Sequence, residues 1–115
     1  MGIMKIKKSE SKGKIVYKIS GRIDTQSAPD LQDDIDALFE KIKKEGTGKI
    51  ELILDFKDVE YTSSAGLRTI LYTKKKIDSM AEGSKFEIIN ISPEIMNVFN
   101  MTGFSDFLSL NGSEN

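Results

Sequence analysis

Apolar side chains recur along this chain with two different periods. Between Met4 and Ser9 polar and apolar residues mostly alternate, and Ile15, Tyr17 and Ile19 repeat at every second position, the period of a strand with one buried face. Ser11-Lys12-Gly13 lies between the two runs, and such a short Gly-containing connection predicts an antiparallel hairpin, with Gly21 ending its second strand. Leu31, Ile35, Leu38, Phe39 and Ile42 then fall on one face of a helix. Ser27-Ala28-Pro29-Asp30 opens that helix: Ser27 can accept from a free backbone N–H, Asp30 stands where a capping-box partner would, and Pro29 fits a first turn. Glu45-Gly46-Thr47-Gly48 stops it.

The run Ile50 to Phe56 is apolar at Ile50, Leu52, Ile53, Leu54 and Phe56, as expected of a central strand covered on both faces. A second helix is expected to begin within Thr62-Ser63-Ser64, to carry Leu67, Ile70, Leu71, Ile77 and Ala81 inward and to end at Gly83, although Lys74-Lys75-Lys76 interrupts its stripe. Lys85 to Asn90 reads as another strand, and Ser92-Pro93 caps a third helix that Ile95, Val98 and Phe99 bury and Gly103 closes. Phe104, Phe107 and Leu108 are expected to fold back on the core. The order ββαβαβα predicts an α/β domain with a mostly parallel central sheet, entered by an N-terminal antiparallel hairpin and carrying three main helices. A chain of 115 residues suits one domain, residues 1–110, followed by a polar tail, 111–115.

Composition narrows what such a domain does. Lys+Arg 17 against Asp+Glu 18 gives no basic excess for binding nucleic acid. Cys 0 removes thiolate nucleophiles and disulfides, and His 0 removes the usual general base and the commonest metal ligand. No run approaches the about 18 apolar residues of a membrane helix, and Met1 to Lys8 has no signal-peptide core, so a cytoplasmic protein without a cofactor is expected. Ile6 stands where a myristoylation signal beginning at Met1-Gly2 would need Ser or Thr.

Three segments could carry chemistry. In Tyr61-Thr62-Ser63-Ser64-Ala65-Gly66-Leu67 small hydroxyl residues lie between a strand and a helix, where capping is the ordinary role and phosphorylation of Ser64 the functional one. Gly21-Arg22-Ile23-Asp24-Thr25 is a turn whose Asp24 and Thr25 can bond locally or meet a partner. Asp55 and Asp58 could hold Mg²⁺ or accept a phosphoryl group, but the first strand, Met4-Lys5-Ile6-Lys7-Lys8, supplies no acid to complete such a pocket, which leaves turn and cap roles. Gly46-Thr47-Gly48 precedes a strand, the wrong context for a phosphate-binding loop, and the lysines at 41, 43, 44 and 74 to 76 read as solvated helix faces.

Gly21-Arg22-Ile23-Asp24 with Ala28-Pro29-Asp30-Leu31, Leu52-Ile53-Leu54-Asp55-Phe56 with Val59 and Tyr61, and Ser63-Ser64-Ala65-Gly66-Leu67 together resemble the STAS domain of bacterial anti-sigma factor antagonists. Ser92-Pro93 and Met101-Thr102-Gly103-Phe104 extend the likeness from about Ile15 to Leu108. The resemblance implies a STAS-like, non-enzymatic domain that binds an anti-sigma factor, itself a serine kinase, and thereby frees sigma. Phosphorylation at Ser64 would release it and a serine phosphatase would reset it. The family usually has Asp where Ser63 stands, which makes Ser63 the alternative acceptor, and Ala65 replaces a second Ser found in some members. Asp24 matches the family's loop acid and is carried over as a partner or kinase contact, together with Thr25, Ser63, Ala65, Gly66 and Arg68 at the same end. The competing reading is a STAS scaffold subunit of a signalling or transport assembly in which Ser64 only caps its helix. A small hydrolase or nucleotide-binding enzyme would have to rely on Asp24, Asp55 or a lysine.

Overall fold

In the computed structural model, residues 3–46, 48–80, 82–104 and 109–112 are described. Strand β1 (Lys5–Ser11) pairs antiparallel with β2 (Lys14–Ile23), and Lys12 and Gly13 make the turn with φ of 51° and 82°. Two successive positive φ values are the signature of a type I′ turn, whose twist matches that of the flanking strands. Helix α1 (Ala28–Glu45), strand β3 (Glu51–Thr62), helix α2 (Ser64–Asp78), strand β4 (Lys85–Ile91), helix α3 (Pro93–Thr102) and strand β5 (Ser109–Gly112) follow. The sheet order is β1-β2-β3-β4-β5, with every pairing after the hairpin parallel. Successive right-handed crossovers in one direction lay the helices on one face of a sheet.

The expected helical stripe of α1 is buried at Leu31, Ile35, Leu38, Phe39 and Ile42, and Gly46 ends the helix in the left-handed region. These side chains share one cluster with Ile15, Tyr17 and Ile19 of β2, Leu52, Leu54 and Phe56 of β3, and Ile95 and Phe99 of α3. The Phe56 and Phe99 rings lie 6.4 Å apart at a tilt of 40°, which fixes α3 against the centre of the sheet. Ile53 is buried on the opposite face and lies outside that cluster.

Several boundaries differ from those expected. Gly21 does not end β2, which runs on to Ile23. Between Lys18 and Ser20 β2 advances two residues while β3 advances three, from Asp55 to Asp58, and β3 gains another between Val59 and Tyr61. Gly21, with φ of 88°, sits at this irregularity, where a glycine relieves backbone strain inside a strand. Asp55 and Asp58 therefore lie within β3 and not after it. Helix α2 ends at Asp78 with Ser79 as its cap, ahead of Gly83. Leu71 and Val98, expected inside, are half-buried. Asn111 and Gly112, expected in the tail, belong to β5, where Gly112 pairs with Ile91. Phe104 is half-buried against the core as expected, whereas Thr47, Ala81, Phe107, Leu108 and residues 113–115 of the tail lie outside the described residues. Among the described residues, no helix is long and apolar enough to cross a membrane.

Candidate functional site at the start of the second helix

Strands β2 and β3 end together, with Ile23 paired to Thr62, and this shared end organises the site. The Ser63 N–H donates to the Ile23 carbonyl at 2.8 Å, so the start of α2 is tied to the last residue of β2. Gly66, one turn into α2, is buried at this junction. A Cβ there would lie 2.4 Å from Thr62 Oγ1, 2.7 Å from Ile23 Cγ2 and 3.2 Å from the Ile23 carbonyl oxygen. The helix can approach the strand this closely only because residue 66 has no side chain. Gly66 thus sits beneath the surface that the other candidate contacts form.

Ser63 is the N-cap of α2, in extended backbone, and its Oγ accepts from the Gly66 N–H at 3.4 Å. Ser63→Ala is expected to cost about 1 kcal/mol of stability, read by urea unfolding, because one first-turn donor loses its acceptor. Ser64 occupies the first helical position and is exposed, and its hydroxyl makes no hydrogen bond among the described residues. Ser63, and not Ser64, is therefore the cap of this helix, and Ser64 stands at the surface.

Asp24, directly after β2, holds the entrance to α1. Its Oδ1 accepts from the Gln26 and Ser27 N–H groups, each at 3.0 Å, while Ser27 Oγ accepts from the Asp24 N–H at 2.9 Å. This is a reciprocal capping box, one turn ahead of the Ser27–Asp30 pair expected; Ser27 has helical backbone and makes no side-chain cap of its own. The Ser27 N–H, then the Ser27 hydroxyl, the Gln26 N–H and the nearby Arg22 charge hold the Asp24 carboxyl below the usual Asp value against an opposing desolvation effect. A carboxyl depressed in the folded state stabilises the fold above its unfolded pKa, and that contribution disappears as pH falls through the folded value. Asp24→Asn is accordingly expected to destabilise the protein at about pH 7, with the gap to the native protein closing toward pH ~3, in urea unfolding at both pH values.

A groove of about 310 Å³ between the first turns of α1 and α2 is lined by Thr25, Asp33, Ala65 and Arg68, among others. Asp24 lies outside it, in a neighbouring hollow of about 400 Å³ with Ile3, Arg22 and Asp30. Further along α1 and α2, the Tyr72 hydroxyl donates to the Asp36 carboxylate, a bond that raises the Tyr72 pKa and braces the two helices. A feature not anticipated is the Arg22 guanidinium stacked 4.3 Å over the half-exposed Tyr61 ring. Only the Arg22–Tyr61 register between β2 and β3 brings these residues together, which is why periodicity alone does not find them. Asp55 Oδ1 accepts from the Lys57 N–H and Asn90 Nδ2, each at 3.0 Å, and Asp58 lies 3.6 Å from Lys18 Nζ. No group of three or more metal-ligating side chains occurs among the described residues.

The family model described as the STAS domain matches residues 5–115. The anti-sigma-B factor antagonist of Bacillus subtilis (strain 168) is 28% identical over 101 residues, which span 88% of this chain and 84% of that protein. An anti-sigma factor antagonist from Mycobacterium paratuberculosis superposes with a TM-score of 0.77 at 22% identity, covering 95% of this chain and 86% of that one. The phosphorylated form of the Bacillus cell fate determinant SpoIIAA superposes with a TM-score of 0.64 at 15% identity, covering 94% and 90%. At these identities the two solved structures show a shared fold.

Proposed function

This chain belongs to the STAS domain family, and from that premise we propose that it is an anti-sigma factor antagonist switched by phosphorylation of Ser64. The observation that carries the reading is the exposed Ser64 hydroxyl at the first position of α2, beside the groove that holds Thr25, Ala65 and Arg68, with the neighbouring Ser63 engaged in the cap. The similarity to the Bacillus subtilis antagonist supports the partner class. A fold shared with a protein solved in phosphorylated form supports the modification.

In this account the unmodified protein docks its Ser64 end on an anti-sigma factor that is also a serine kinase, and sigma is freed in the cytoplasm. The γ-phosphoryl group of ATP then passes to Ser64 Oγ, whose proton goes to a base on the kinase while ADP leaves. A serine phosphatase hydrolyses the ester and returns serine and inorganic phosphate. A phosphate at this position meets the positive end of the α2 dipole, so the helix is retained, yet it adds about −1.5 to −2 charge next to the groove that Asp33 lines. Partner affinity changes and the fold does not. The protein needs no cofactor and no catalytic group of its own.

Site-mapped mass spectrometry of the protein from its native cells tests the modification. One phosphate on Ser64, absent from Ser64→Ala, is expected. Phosphate on Ser63 would move the switch by one residue, and no phosphate under any growth condition would favour the scaffold reading.

A further inference from the structure

Ser64 and Arg68 stand one helical turn apart on α2, and both are exposed. Helical Cα–Cβ bonds tilt toward the N-terminus, so the Arg68 stem leans back over the turn that carries Ser64, and residues at i and i+4 are surface neighbours. The Arg68 guanidinium has no ion-pair or hydrogen-bond partner among the described residues, although Asp33 lines the same groove. Arg22, in contrast, is engaged on the Tyr61 ring, and Lys8, Lys18, Lys41 and Lys74 are ion-paired. A guanidinium also offers a planar fork of donors that fits a phosphate through two hydrogen bonds at once, which an ammonium cannot match.

We propose, resting on the reading of Ser64 as phosphoacceptor, that Arg68 receives the phosphoryl group of Ser64 within the same chain. Phosphorylation then has two effects at one place. It adds negative charge beside the groove between α1 and α2, and it withdraws from that groove the guanidinium that the unmodified protein offers to its docking partner.

The test uses the full chain with phosphoserine installed at position 64 during translation, carrying native Arg68, Arg68→Lys or Arg68→Met, and follows the phosphoserine by ³¹P NMR as pH is varied. Asp33 on α1, and Arg22 and Asp24 at the end of β2, are the same in all three proteins, so differences report residue 68. The second ionisation of the phosphoserine is expected at the lowest pH with Arg68, about half a unit higher with Met and between the two with Lys, with unchanged far-UV circular dichroism. Identical titrations in all three would overturn the clamp. Without phosphate, Arg68→Met is expected to weaken anti-sigma factor binding about tenfold, and full affinity in that variant would overturn the withdrawal. Failure of the underlying switch looks different: the phosphorylated native protein would still bind the anti-sigma factor, whatever its titration.

Discussion

Ser64→Asp is expected to weaken binding to the anti-sigma factor by about a hundredfold, equivalent to about 2.7 kcal/mol, while leaving the melting temperature and far-UV circular dichroism nearly unchanged. The two halves of this expectation have separate causes. A carboxylate at the first position of a helix faces unpaired N–H groups and the positive end of the dipole, so it is tolerated or slightly stabilising. In a closed interface the same charge must be desolvated next to the groove that Asp33 lines, and on the proposed clamp any pairing with Arg68 takes that guanidinium away from the partner. Calorimetric titration paired with a thermal melt separates the two. Equal affinity for both forms would remove Ser64 from the docking face, and a collapse in melting temperature would mean that the loss of binding is a folding effect.

Gly66→Ala is expected to lower stability by about 3 kcal/mol and the melting temperature by about 10 °C. On an ordinary helix the substitution would stabilise by up to about 1 kcal/mol, because alanine loses less backbone freedom than glycine on folding. Here the new methyl would meet Thr62 Oγ1 and Ile23 Cγ2 well inside contact distance. The threonine hydroxyl can rotate away, but the Ile23 side chain is fully buried and its carbonyl holds the Ser63 N–H, so α2 itself must move. That movement would carry Ser64 with it, and weaker docking should accompany the lost stability. Urea unfolding decides the sign, and a more stable Gly66→Ala would contradict the close approach of α2 to β2.

Much of this architecture is legible in the chain because local chemistry and global fold agree there. Lys12-Gly13 needs no tertiary partner to favour its turn, and the i, i+4, i+7 stripe of α1 has a single helical solution. Ser92-Pro93 opens α3 as read, with Ser92 Oγ accepting from the Ile95 N–H at 3.3 Å. What escapes such reading depends on pairing between distant segments. Gly21 looks like a stop because glycine usually punctuates strands, and only the extra residues of β3 opposite it turn that signal into an irregularity inside a longer strand. The residues of β5 are too few and too polar to alternate, and they become a strand only beside β4.

At the site itself, the sequence points to Ser27-x-x-Asp30 as the box, whereas the fold uses Asp24-x-x-Ser27. The backbone decides between them, because Ser27 is already helical and Pro29, without an N–H, leaves its oxygen few donors to accept from. The Ser63-Ser64-Ala65-Gly66 segment is legible as a helix start, and its small residues read as a surface feature. The packing adds the reason for the glycine, which is the distance between α2 and Ile23.

On the proposed switch, the state of Ser64 decides whether sigma is free. Adding this protein, either unmodified or carrying one phosphate on Ser64, to a preformed complex of the anti-sigma factor and sigma, and measuring released sigma, tests that switch. Release by the unmodified protein and none by the phosphorylated one is the predicted result. Equal release by both forms, or release by neither, would contradict it.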